Sequence, residues 1–175
     1  HMDMFHLEGP FLALPGAGGE GVDGDTHLLR EIMAACRGNL KAMSISPDRK
    51  GILPVIEMLV ANDIRPFITH TRATVEQTRK AIDAGARHAT HFYDVFYPPE
   101  ETDPGVRPAG AVEVILSDSR CSVDVICDGV HVAPAAIACA LTAKGYQGVA
   151  LVTDANVGAG LPPGIYEERW RQRRL

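Results

Sequence analysis

What most restricts the fold of this chain is a recurring order: a short apolar or β-branched run, one polar side chain at its end, a loop, then a helical pattern. The polar residues are Glu8 in His6-Leu7-Glu8-Gly9-Pro10, His70 in Ile68-Thr69-His70-Thr71, and His91 in Ala89-Thr90-His91-Phe92. His131 in Asp128-Gly129-Val130-His131 and Asp154 in Val152-Thr153-Asp154-Ala155 repeat the arrangement. Strands alternating with helices form right-handed βαβ crossovers and hence a parallel sheet. Strands are expected at residues 4–7, 40–45, 64–69, 88–90, 122–126 and 148–153. Helices are expected between them: one capped by Asp25 or Thr26 and stopped by Gly38, then 51–62, 74–84, 111–116 and 134–144. Thr74-Val75-Glu76-Gln77 reads as a capping box, and Pro134 suits a first helical turn. Residues 12–24 and 97–108 are rich in Gly and Pro and read as loops.

Two architectures accommodate this order. A doubly wound sheet gathers its site at one switch point. A (β/α)8 TIM-type barrel brings the carboxyl ends of all its strands to one rim. Ligand-type residues end five of the six runs, which favours the barrel. Six βα units do not close an eight-stranded barrel, so the expectation is an α/β fold with an incomplete barrel over residues 3–166. Unpaired parallel edges would then be pairing hazards, and an inactive fragment that folds by self-association is one reading of such a chain.

Taken singly, Glu8 is as compatible with a helix cap or a surface carboxylate, and His70 or His91 with a hydrogen-bonded structural group. Together, one Glu and two His at the same end of three strands match the three protein ligands of a catalytic divalent-metal site. Zinc is the ion that donor set suits best. Asp154, at the end of the last strand, is placed to take a proton from water and hand it to a leaving group. His131 can polarise a carbonyl or orient a hydroxyl. His88 begins a strand and reads as structural, His27 as exposed, and His6 as a group supporting the ligands.

Net charge is -5 with both signs interspersed, which argues against a nucleic-acid surface. The basic cluster Arg169, Arg171, Arg173 and Arg174 reads as a solvated polar tail at 167–175, and His1-Met2 as a cloning remnant. No apolar run approaches the ~20 residues that span a bilayer. Cys36, Cys121, Cys127 and Cys139 lie in apolar segments without a Cys-x-x-Cys pair. They read as buried, reduced thiols of a cytoplasmic protein.

Five motifs in order carry a resemblance: His6-Leu7-Glu8-Gly9-Pro10-Phe11, Thr69-His70-Thr71-Arg72-Ala73-Thr74, Thr90-His91-Phe92-Tyr93-Asp94, Asp128-Gly129-Val130-His131-Val132 and Val152-Thr153-Asp154-Ala155. Together they resemble N-acetylglucosamine-6-phosphate deacetylases of the amidohydrolase superfamily. The resemblance implies a (β/α)8 barrel with a small flanking β-domain, usually a homodimer. It implies that Glu8, His70 and His91 bind the metal, that Asp154 is base and then acid, and that His131, Asp94 and Val95 contact the substrate. The reaction implied is hydrolysis of the acetamide of an N-acetylated amino sugar, with N-acetylglucosamine 6-phosphate the expected substrate, giving acetate and the amino sugar. Another amidohydrolase reaction, on a cyclic amide or an unphosphorylated N-acyl compound, is the alternative.

The chain also departs from the pattern. The family's HxH pair, first strands and flanking domain are not found in it. Pro15-Gly16-Ala17-Gly18-Gly19 replaces Lys-Gly-Ala-His after Glu8, and Asp94 replaces an Asn. The Arg-containing stretch that grips the sugar phosphate becomes Glu100-Glu101-Thr102-Asp103-Pro104-Gly105, leaving Arg107 as the guanidinium available for phosphate.

Overall fold

In the computed structural model, which describes residues 4–16, 20–101, 103–156 and 158–166, six parallel strands form one sheet. The elements run β1 (Phe5–Glu8), α1 (Thr26–Cys36), β2 (Leu40–Ile45), α2 (Ile52–Ala61), β3 (Arg65–Ile68) and α3 (Val75–Ala84). They continue with β4 (His88–Ala89), α4 (Ala111–Ser117), β5 (Ser122–Ile126), α5 (Pro134–Lys144) and β6 (Val149–Val152). Strand order in the sheet is β1-β2-β3-β4-β5-β6. A doubly wound sheet reverses its order at the switch point, whereas this one never does. The α/β fold is therefore a curled half-barrel.

Local sequence explains where the helices begin. The Asp25 carboxylate accepts from the amides of His27 and Leu28 ahead of α1. Thr74 and Gln77 exchange side-chain bonds with each other's amides, so the expected capping box starts α3. Arg37, in the left-handed region at φ 51, ends α1 one residue before the expected Gly38.

Strand residues alternate between the helical layer and the barrel interior. Facing the helices are Met43, Ile45, Ile68, Ala89, Val123 and Val125, all fully buried against Leu29, Val55, Ile56, Leu59, Ile82 and Ile115. Each large apolar side chain removed from water in this way contributes about 1.5–3 kcal/mol. The other parity faces inward and carries most of the sheet's polar side chains. Glu8, Ser44, Phe67, His88 and Ser122 lie side by side across five strands. Phe67 packs between the rings of His6 (5.1 Å) and His88 (4.4 Å).

Three expectations need correction or qualification. Strand β4 is only two residues long: the chain turns at Thr90, whose amide makes the last bond to β3, to the Ile68 carbonyl at 3.0 Å. Among the cysteines only Cys121 is buried; Cys36 is half-buried, and Cys127 and Cys139 are exposed. Cys127 falls just beyond β5, and Cys139 lies off the face of α5 that buries Ile137 and Ala140. The supposed remnant at 1–2 and the basic tail at 167–175 lie outside the described residues. No described helix is long and apolar enough to cross a membrane.

Candidate metal centre

Alternation alone would not assemble a site from Glu8, His70 and His91. Glu8 ends β1 on the inward parity, beside Ser44. His70 and His91 share the parity of Ile68 and Ala89, whose side chains point at the helices. Both histidines have left-handed backbones, at φ 47 and φ 35, and this turns their rings back over the strand ends. Asp154 is also left-handed, at φ 48. Such conformations cost non-glycine residues about 1–3 kcal/mol each and persist only where surrounding bonds hold them. Around His70, the Ser46 hydroxyl lies 2.9 Å from the carbonyls of both Thr69 and His70, and the Leu14 amide donates to the His70 carbonyl at 3.1 Å.

The three side chains converge on one point. Glu8 Oε1 lies 2.6 Å from His91 Nε2 and 3.2 Å from His70 Nε2. His70 and His91 are almost wholly buried and their rings meet edge to face at 5.1 Å. Burial would raise the Glu8 carboxyl, but the hydrogen bonds and charges of His70 and His91 outweigh it and hold the group far below the usual carboxylate range. Burial would likewise lower His91; its hydrogen bond to Glu8, with the charges of Glu8 and Asp154, instead pushes it up to about 9.

A cavity of about 330 Å³ opens beside this cluster, lined by His6, Glu8, Thr90, His91, Asp124, Val152 and Asp154. Asp154 therefore shares a wall with the cluster. The other site residues expected from sequence sit farther out. His131 is exposed and bonded through Nδ1 to Asp128 at 2.6 Å, a contact that raises its pKa, helped by the charges of Asp94 and Asp154. Asp94 and Val95 are half-buried on the turn after His91, Val95 at φ 54 with its carbonyl accepting from the Thr71 amide. Arg107 is highly exposed and paired with Glu113 at 3.0 Å, away from the cavity lining.

Four residues close to the cluster carried no signal that was read from sequence. Ser44 is fully buried and bonded to His6 at 2.6 Å. Ser46 holds the His70 carbonyl, as above. Asp48 takes the Thr71 hydroxyl and, at 3.0 Å, the Arg72 amide. Asp124 accepts the His91 amide. A carboxylate in the middle of Ser122-Val123-Asp124-Val125-Ile126 was the available clue, since an acid inside an apolar strand needs a partner.

The donors fit a divalent cation. One oxygen and two imidazole nitrogens all lie within 4.8 Å of one another. Ligands about 2.1 Å from a tetrahedral ion stand roughly 3.4 Å apart, so the Glu8–His70 separation already matches and the Glu8–His91 pair must open by about 1 Å. Both rings aim Nε2 at this point, while Nδ1 of each is buried without a hydrogen-bond partner among the described residues. The chemistry of the set, borderline nitrogen with one carboxylate, suits zinc and its neighbours.

Comparison with known proteins finds similarity to deacetylases of the kind the motifs resemble. No family model matches the chain. It is 33% identical over 166 residues to the N-acetylgalactosamine-6-phosphate deacetylase of Escherichia coli O157:H7, a match covering 92% of this chain and 42% of the relative. It is 29% identical to the N-acetylglucosamine-6-phosphate deacetylase of Lysinibacillus sphaericus, covering 93% and 42%. A Mycobacterium smegmatis N-acetyl-D-glucosamine-6-phosphate deacetylase variant, solved with N-acetyl-D-glucosamine-6-phosphate, superposes with a TM-score of 0.83. Identity there is 35%, over 94% of this chain and 43% of that one. The chain thus resembles these deacetylases along more than nine-tenths of its length, and spans about two-fifths of theirs.

Proposed function

We propose that this chain takes part in hydrolysing the acetamide of an N-acetylated amino sugar 6-phosphate, with Glu8, His70 and His91 holding a divalent metal, zinc in our reading. The observation that carries the proposal is the convergence of those three donors, within 4.8 Å of one another, on a cavity that Asp154 also lines. The ion, when bound, supplies Lewis acidity toward water and toward the amide carbonyl. Asp154 takes the proton that water loses as its oxygen bonds to the acetyl carbon. The same carboxyl then delivers that proton to the nitrogen as the C–N bond breaks, releasing acetate and the free amine. His131 orients the sugar and its acetamide, and Asp94 and Val95 line the approach. Arg107 takes the phosphate by exchanging the Glu113 carboxylate for it, a guanidinium being able to grip either in the same forked manner. The relative solved with the sugar phosphate supports this substrate class. Four unpaired cysteines support a reducing, cytoplasmic setting.

The test is zinc uptake by the purified chain, followed by acetate release from phosphorylated and unphosphorylated N-acetyl sugars. Uptake near one ion per chain, lost in Glu8→Gln and His70→Asn, is expected. A chain that takes up no zinc, or variants that take up as much as wild type, would end the proposal. The Arg107–Glu113 pair specifically favours a second reading, in which the substrate is unphosphorylated, and the two sugars decide between them. The sheet edges favour a further one. Among the described residues, strands β1 and β6 each have a single neighbour, with Phe5 and Leu151 exposed. A second copy covering those edges would give a homodimer, which sedimentation measures directly; a compact monomer at micromolar concentration counts against it.

A further inference from the structure

His91 is one of the three donors, yet little in its own strand holds it there. Strand β4 ends at Ala89, so His91 lies beyond the ladder, in a left-handed conformation that its neighbours must impose. The constraint comes from β5. Asp124 Oδ1 accepts the His91 amide at 2.5 Å, and the Asp124 carbonyl accepts the next amide, that of Phe92, at 2.7 Å. One residue, 33 positions along the chain, thus fixes two consecutive amides.

The carboxylate is itself built in. Asp124 is 8% exposed, between Val123 and Val125 at 0%. Its second oxygen faces His88 Nε2 at 2.8 Å, and His88 Nδ1 meets the Ser122 hydroxyl, back on β5, at 2.7 Å. His88 therefore has a partner on each ring nitrogen, and both carboxylate oxygens are satisfied. Burying a carboxylate without such partners is strongly unfavourable, so this arrangement has a defined task rather than a default one. Its output is the direction in which His91 points.

We infer that Asp124, oriented by the His88–Ser122 pair, is a positioning residue that holds His91 in the donor geometry of the metal centre. This rests on the metal reading proposed above, and it assigns Asp124 no contact with substrate. Groups that orient a metal's ligands typically change affinity 10–100-fold when removed.

The experiment compares the full chain with Asp124→Ala and Asp124→Asn by zinc(II) titration against a chromophoric chelator. Asp124→Ala is expected to bind zinc 10–100-fold more weakly. Asp124→Asn is expected to recover most of that loss. Its oxygen still accepts the His91 amide, and its NH2 can donate to His88 Nε2 once the imidazole proton moves to Nδ1, where the Ser122 hydroxyl accepts it. Cobalt(II) supplies the readout that a merely structural role would not move. The visible absorption of the bound ion should change in Asp124→Ala and return in Asp124→Asn. Wild-type affinity in the alanine variant, an asparagine variant as weak as alanine, or an unchanged cobalt spectrum would overturn the inference. Should Asp124→Ala not fold, amide hydrogen exchange of wild type decides: His91 N–H should exchange slowly, and exchange at the rate of an unprotected loop amide would overturn it. Wild type taking up no zinc would instead sink the metal reading, while the His91 amide still reports on the clamp.

Discussion

Replacing Gly16 by alanine should cripple the candidate metal centre without replacing any of its three donors. An alanine Cβ at this position would lie 2.2 Å from His70 Cε1 and 3.0 Å from both ring nitrogens. Non-bonded carbons sit about 3.5–4.0 Å apart, so backbone and ring must separate by at least about 1 Å. The backbone of Gly16 is not left-handed, so alanine brings no conformational penalty of its own. The chain is tied down as far as two residues before Gly16. The Ser46 amide donates to the Phe11 carbonyl at 3.0 Å, the Ala13 amide to Ser46 Oγ at 2.9 Å, and the Leu14 amide to the His70 carbonyl at 3.1 Å. The ring must therefore give way, into a space already bounded by Glu8 and the His91 ring. Metal–ligand distances tolerate about 0.2 Å, so a displacement several times larger removes His70 as a donor. We expect zinc affinity to fall about 10–100-fold, equivalent to about 1.4–2.7 kcal/mol, with the far-ultraviolet circular dichroism retained. Chelator competition measures the affinity. Wild-type zinc binding in Gly16→Ala would show that the loop moves instead, and the argument that it cradles His70 would be wrong.

Other outcomes follow from the packing and the charges. Ile56→Ala should destabilise the fold by about 2–5 kcal/mol in urea denaturation, as its side chain is fully buried. Glu57→Ala, on the exposed side of the same helix, should stay within about 0.5 kcal/mol; equal losses would contradict the assigned faces. Thr74→Ala removes one arm of the capping box on α3 and should cost about 1 kcal/mol, with Gln77→Ala a non-additive partner in a double-mutant cycle. Hydrogen bonds from the His131 and Val130 amides and from the His131 ring lower the Asp128 carboxyl to about 2, and the Asp128 bond raises His131 above 6.5. The stabilisation from raising His131 is fully present below about pH 6.5 and lost as pH rises through its raised value; that from Asp128 is lost as pH falls from about 3.8 through about 2. An NMR titration of the His131 ring should give a midpoint above 6.5 that drops in Asp128→Asn, and an unshifted wild-type midpoint would contradict the pairing.

Much of the architecture was legible in the sequence because it is written in near-neighbour patterns. The boundaries of β2, β5 and α5 follow hydrophobic periodicity and Pro134 directly, and Thr74 and Gln77 mark the start of α3. The sequential order of six strands follows from the repeat of strand, loop and helix, and with it the convergence of strand ends on one rim. That Glu8, His70, His91 and Asp154 would lie near one another was readable on those grounds.

How they meet was not. Period-two alternation sends His70 and His91 toward the helices, and only a left-handed backbone at φ 47 and φ 35 brings their rings to Glu8. That conformation is imposed by partners distant in sequence, Ser46 on one side and Asp124 on the other, and no local pattern announces such a partner. By contrast, Arg107 pairs with Glu113 and His131 with Asp128, partners six and three residues away along the chain, and neither Arg107 nor His131 lines the cavity. Periodicity is a property of neighbours along the chain and sets where elements lie. The aim of a side chain past the end of a strand depends on which distant polar group its backbone finds, and that is decided only in three dimensions.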